Sequence, residues 1–323
     1  MFVMKTKFAL YWALGISSVL AFGYVVYVTT PPSPGPKLSE PEIPVQDLVP
    51  LEEWPTAFAG QKGGDRLVIN IDGVFYRFCW CPPGSFMMGS PEKEISILID
   101  REVLHKVTLS YGFWMLKTEV TQSMWRSIMG NNPSKFNDGD NFPVDSVSWN
   151  DAQKFIAKLN ERRLAPDGFC FSLPTEAQWE YACRAGTKTP FFWGDSLNGD
   201  KANCDGKDPY GTSVKGKSLG RTTPVGSYDA NPWGLVDMHG NVAELCEDGY
   251  DDYPPGPVID PFGAGSSRVL RGGGAYDGAE SCRSADRSSV YDPDFRSFSY
   301  GFRFVLVPLT KKKLQQEETP AEE

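Results

Sequence analysis

Leu173-Pro174-Thr175-Glu176-Ala177-Gln178-Trp179-Glu180-Tyr181-Ala182-Cys183-Arg184-Ala185-Gly186 spells out a short helix with both of its stops. Thr175 followed three residues later by Gln178 is a capping box: the hydroxyl accepts from the Gln178 amide while the Gln178 side chain reaches back to the cap amide. Ala177, Tyr181 and Ala182 lie on its apolar side, and Gly186 is the expected C-terminal stop. Two more helices are marked upstream. One follows Thr121, carries Trp125, Ile128 and Met129 on one face and ends at Gly130. The other begins at Ser148, has Asp151 as an acidic cap, and sets Ala152, Phe155, Ile156 and Leu159 at helical spacing. Before the helices, Arg66 to Ile71, Phe75 to Trp80, Ser85 to Gly89 and Lys106 to Leu116 read as strands, with Asp72-Gly73 as a hairpin turn. Residues 187–300 are rich in Gly, Pro, Asn and Asp and promise few elements. Irregular chain of that length needs cross-links, ions or buried polar contacts to stay ordered.

The chain ends differ from this body. Lys5 and Lys7 precede an uncharged apolar run from Phe8 to about Thr29, enough to cross a ~30 Å hydrocarbon core as a helix. The lysines predict a cytoplasmic N-terminus, and the absence of a small-residue cleavage site favours an uncleaved anchor over a signal peptide. The expected plan is an anchor over 1–29, a Pro-rich spacer over 30–64, one domain over 65–309 and a disordered polar tail over 310–323, with the domain outside the cytoplasm. A net charge of -9 and the lack of a basic stripe give nucleic-acid binding little support. No phosphate loop, Gly-x-Gly-x-x-Gly or His-Arg-Asp run is present, which speaks against a nucleotide enzyme or kinase. Seven cysteines fit an oxidising compartment in which some pair; being odd in number, at least one is free or pairs between chains. His105 and His239 are the only histidines, which excludes a three-histidine metal site within one chain.

Many segments, in order, resemble the formylglycine-generating (sulfatase-modifying factor) family. They are Pro83-Gly84-Ser85-Phe86-Met87-Met88-Gly89-Ser90, Glu119-Val120-Thr121, Pro143-Val144, Val147-Ser148-Trp149, the Leu173–Gly186 signature, Trp233-Gly234-Leu235, Asp237-Met238-His239-Gly240-Asn241-Val242 with Glu244, Val269-Leu270-Arg271-Gly272-Gly273 and Gly301-Phe302-Arg303. The resemblance implies an α+β, loop-rich sulfatase-modifying-factor fold with a C-type-lectin-like core, in which Arg271 and Arg303 are buried anchors. It implies a disulfide between Cys183 and Cys282. It also implies a calcium site from Asp237, Gly240, Val242 and Glu244, whose hard oxygen donors suit that ion. Asn203 and the Cys204 carbonyl match part of a second calcium site, where Lys217 or its neighbours fall at an acid's place.

The family's oxidases bind copper through two cysteines a few residues beyond Arg-Gly-Gly, and soft thiolates select monovalent copper. Here Arg271-Gly272-Gly273 leads into Gly274-Ala275-Tyr276-Asp277-Gly278-Ala279-Glu280-Ser281-Cys282, with one cysteine and a shortened loop. The family's serine is Gly274, and its Trp-Glu-Trp reads Ala243-Glu244-Leu245. A remodelled groove at Gly274, Tyr276, Asp277 and Ala243 is therefore expected, without copper and without catalytic residues. The leading expectation is a membrane-anchored, non-oxidase binding or scaffolding domain with a protein partner. The alternative is an enzyme modifying sulfatases or other exported proteins.

Overall fold

The computed structural model describes residues 17–21, 24–29, 58–92, 94 and 101–309. Strands β1 (Ser17–Ala21), β2 (Tyr24–Thr29), β3 (Arg66–Ile71) and β4 (Val74–Cys81) run as an antiparallel meander. β5 (Gly84–Met88) and β6 (His105–Leu109) pair antiparallel, and β7 (Phe113–Leu116) returns to β4. Helices α1 (Gln122–Met129) and α2 (Trp149–Glu161) follow, then β8 (Phe169–Ser172) and helix α3 (Glu176–Arg184). The remaining strands are β9 (Ala243–Gly249), β10 (Val258–Ile259), β11 (Arg268–Arg271), β12 (Arg287–Val290), β13 (Tyr300–Gly301) and β14 (Val305–Pro308). They form three sheets: β1-β2-β3-β4-β7-β14-β8, β10-β6-β5 and β12-β11-β9-β13.

The side-chain alternation of a strand builds a two-sided core. In the large sheet Phe78, Trp80, Trp114, Leu116 and Leu306 face one cluster, shared with Trp125 of α1 and Phe155 and Leu159 of α2. Cys79, Cys81, Phe113, Met115, Val305 and Val307 face the other, shared with Ala177, Trp179 and Cys183 of α3. All three helices start where the caps place them. Thr121 accepts from Met124, and full capping boxes form at Ser148/Asp151 and Thr175/Gln178. Gly130 closes α1 in the left-handed region at φ 78°, whereas α3 turns left-handed one residue before Gly186, at Ala185.

Several expectations change. The described residues are mostly β with few helices, because 243–308 contributes strands that its turn-rich composition hid. The run expected as one strand over Lys106–Leu116 is two, broken at Ser110-Tyr111-Gly112. Residues 58–64, assigned to the spacer, belong with the domain: Trp114 Nε1 donates to the Phe58 carbonyl at 2.7 Å, and the Gly64 amide to Trp80 at 2.9 Å. Most of the spacer and the 310–323 tail lie outside the described residues. So does much of the expected membrane helix; its described pieces, Ser17–Ala21 and Tyr24–Thr29, are β1 and β2. No helix among the described residues is long and apolar enough to cross a membrane.

Candidate functional site

Four buried arginines tie the irregular C-terminal half to the frame. Arg287 meets Glu176 through Nε at 2.8 Å and Nη2 at 2.6 Å, a bidentate fork. Arg271 bonds Glu180, which also takes Arg184 Nε at 2.8 Å and the Gly89 amide at 2.9 Å. Arg283 bonds Glu94 and Glu102, each at 2.8 Å. Arg303, fully buried, grips Glu244 through Nε at 2.7 Å and Nη2 at 2.6 Å and donates to the Leu116, Lys117, Val236 and Asp237 carbonyls. Arg271 and Arg303 are thus buried donors joining the helix and sheet layers to the loops.

The segment expected to bind calcium is folded around that last fork. Glu244 Oε2 also accepts from Trp179 Nε1 at 2.8 Å, so both of its oxygens are engaged. Asp237 Oδ2 accepts from the Gly226 amide. Asp237 Oδ1 has no such donor, and neither has Oε2 of the buried Glu119. These two carboxyls lie close enough that the charge of each is felt by the other. Burial pushes Asp237 up to about 6, with nearby Glu244 adding to the shift. Burial, then the Asp237 charge, raises Glu119 well above the carboxylate range. A proton shared between them would satisfy both oxygens, and Glu119 Oε1 takes Asn241 Nδ2 at 2.8 Å. Of the expected calcium set Asp237, Gly240, Val242 and Glu244, the Glu244 carboxylate is gripped by Arg303, while Asp237 Oδ1 keeps no hydrogen-bond donor. Among the described residues no group of three or more His, Cys, Asp or Glu is set to hold a metal ion. Asn203 packs beside this segment, its Nδ2 donating to the Arg221 carbonyl at 2.9 Å and to Asn241 Oδ1 at 3.1 Å. The Cys204 carbonyl accepts the Gly206 amide at 3.0 Å, as does that of Lys217. Asn203 Oδ1 is buried and keeps no hydrogen-bond donor.

The groove residues come together and close on themselves. The Gly274 amide donates to Asp277 Oδ2 at 2.8 Å, folding the loop into a tight turn. Burial raises the Asp277 carboxyl, against the pull of that bond. A Cβ on Gly274 would stand 3.4 Å from the Ala243 amide nitrogen and 3.4 Å from the Ser299 carbonyl oxygen, so the loop lies directly on β9. Tyr276 swings over the surface, donates its hydroxyl to the Gly220 carbonyl, and joins Phe136 and Phe298 in an aromatic cluster. Lys135 Nζ sits 3.7 Å from the Phe298 ring centre.

All seven cysteines are buried free thiols. Cys183 Sγ faces Ser284 Oγ at 3.6 Å and the His239 ring at 3.6 Å. Cys282 instead lies beside Cys204. The expected Cys183–Cys282 bond is therefore not formed: the 3-10 turn Ala279–Cys282 points Cys282 away, and the side chain opposite Cys183 comes two residues later, at Ser284. A cavity of about 390 Å³ lies elsewhere, lined by His105, Glu176, Asp248, Tyr253, Phe262 and Arg287 among others. Sequence reasoning missed Glu119 and Ser284 as site neighbours. Glu119 stood out only as part of the Glu119-Val120-Thr121 segment, and Ser284 only as a neighbour of Cys282.

Residues 75–307 match the family model described as the sulfatase-modifying factor enzyme 1-like domain. This chain belongs to that family. The formylglycine-generating enzyme of Streptomyces coelicolor is 39% identical over 175 residues, covering 50% of this chain and 52% of that protein. The inactive C-alpha-formylglycine-generating enzyme 2 of Bos taurus is 31% identical over 215 residues, covering 64% of each. The chain thus spans between half and two thirds of the length of these relatives. Among solved structures, PvdO from Pseudomonas aeruginosa superposes with a TM-score of 0.63 at 25% identity, covering 76% of this chain and 99% of that one. The sulfatase-modifying family thus holds formylglycine-generating enzymes and inactive members on one frame.

Proposed function

We propose that this chain is a non-oxidase member of the sulfatase-modifying factor family. It acts as a binding or scaffolding domain, held at a membrane by its N-terminal segment outside the cytoplasm, with a protein partner. The observation that carries this reading is the closed turn at Gly274–Asp277. Its amide-to-carboxylate bond and its seat on Ala243 leave no pair of thiols at the groove surface. Copper does not fit residues of this kind: the exposed groove side chain is Tyr276, and no thiol reaches that surface. The alternative, formylglycine generation or a related oxidation on sulfatases or other exported proteins, draws its support from family membership alone. Titration of the purified protein with monovalent copper against a chromophoric chelator tests the reading. The expected result is no copper taken from the chelator at stoichiometric protein. Tight one-to-one binding that is lost in Tyr276→Ala or Asp277→Ala would overturn it.

A further inference from the structure

Two thiols far apart in sequence meet beneath the remodelled loop. The backbone of Asp205 bridges to Gly278, and the Asp205 amide donates to the Asp277 carbonyl at 2.8 Å. That bridge sets Cys204 against the 3-10 turn carrying Cys282. Cys204 and Cys282 share one small buried cluster with Phe191, Leu197, Ala202 and Ala279, and Cys282 Sγ lies 3.8 Å from the Gly278 carbonyl. Gly273 completes the enclosure, since a Cβ there would stand 2.9 Å from Cys282 Sγ. No other cysteine is a side-chain partner of either: Cys183 is turned to His239 and Ser284, and Cys79 and Cys81 lie in the second core cluster.

We propose that Cys204 and Cys282 form a structural disulfide that locks the 199–218 loop onto the groove turn. The bond forms by exchange with an external disulfide, RS–SR. The Cys204 thiolate attacks one sulfur and releases RS⁻. Cys282, losing its proton, then attacks Cys204 Sγ in the mixed disulfide and releases the second RS⁻. The two protein thiols are oxidised, one external disulfide is reduced to two thiols, and the two protons end on those thiols. Burial of both sulfurs places the exchange before the loop docks. Once formed, the bond is shielded from reductant.

Refolding the full chain in a reduced/oxidised glutathione buffer, alkylating under denaturant and mapping non-reduced peptides reads the pairing. The expected result is one linked peptide pair, Cys204 with Cys282, and five alkylated cysteines at Cys79, Cys81, Cys170, Cys183 and Cys246. Cys183→Ser leaves the link intact and Cys204→Ser abolishes it. Reducing the wild type lowers its Tm by on the order of 10 °C, a comparison that needs no variant to fold. Seven alkylated cysteines, or a link from Cys282 to Cys183, would overturn the proposal.

Discussion

Replacing Arg303 with Met removes the one cation in a buried cluster that holds Glu244, Asp237 and Glu119. Methionine fills much of the stem's volume but returns none of the donors. Glu244 keeps only Trp179 Nε1, and the Leu116, Lys117, Val236 and Asp237 carbonyls each lose a partner. Both side chains of the fork are nearly inaccessible, at 0% and 1% exposure, so solvent cannot compensate. Breaking one side of such a pair costs about 3–5 kcal/mol. For a domain of this size that is a fall in Tm on the order of 10 °C. Glu244→Gln should cost less, about 2 kcal/mol, because the amide oxygen still accepts from the guanidinium. The double variant should be more stable than the summed singles by about 1–3 kcal/mol, since the two residues act as one unit. Differential scanning calorimetry of the four proteins, each with and without EDTA, checks this. Strict additivity, or an EDTA-sensitive wild type whose sensitivity disappears in Glu244→Gln, would refute the fork and return Glu244 to a calcium ion.

Glu119→Gln keeps an acceptor for Asn241 and supplies an N–H in place of the shared proton. A raised folded pKa means that the native state binds the proton more tightly, so wild-type stability from this pair falls as pH rises from about 4 through about 6. The variant should flatten that decline and match or exceed the wild type at pH 8 in chemical denaturation; a marked loss at pH 8 would count against proton sharing. His239 is the opposite case: burial among Phe191, Phe192 and Trp193 depresses it to about 4. Its neutral ring accepts at Nε2 and donates from Nδ1 to the Cys282 carbonyl at 2.7 Å. The unfolded chain protonates first, so this group removes stability as pH falls from about 6.5 to about 4, by up to roughly 3 kcal/mol. Asp248 and Asp286, both raised to about 7, work against it over the same window. His239→Phe should therefore shift the acid limb by one proton relative to wild type, read from the difference between the two stability–pH curves. At the groove, Gly274→Ser meets only ordinary contact distances and should change Tm by less than about 2 °C. Ala243→Trp, at a position 7% exposed beneath the turn, should overpack and cost about 1–3 kcal/mol.

The elements written by local chemistry were legible: three capped helices and the β3–β4 hairpin come from side chains that satisfy their own neighbours' amides. What was not legible depends on partners far along the chain. β9 and β11 form because Glu244 and Arg271 stand opposite each other in register, while their side chains go to Arg303 and Glu180. Composition between 187 and 300 records only the turns. The cysteine pairing failed for a related reason. Cys282 was matched to a family cysteine through the tetrad Cys282-Arg283-Ser284-Ala285, and in the structure it is Ser284 of that tetrad that stands opposite Cys183. Arg303 was legible as a buried anchor, but its carboxylate partner, Glu244, lies 59 residues away and came only with the fold. The groove itself was readable as a set of losses, but its closure by the Asp277 carboxylate and the Tyr276 hydroxyl depends on the folded path of the loop.

The proposed non-oxidase role requires that the groove at Gly274–Asp277 does not convert a sulfatase cysteine. Incubating the purified full chain with monovalent copper, oxygen and a cysteine-containing sulfatase peptide, and reading the peptide by mass spectrometry, tests it directly. The peptide should keep its cysteine, with the Streptomyces coelicolor enzyme converting it in parallel. Copper-dependent conversion of that cysteine by this chain would contradict the claim.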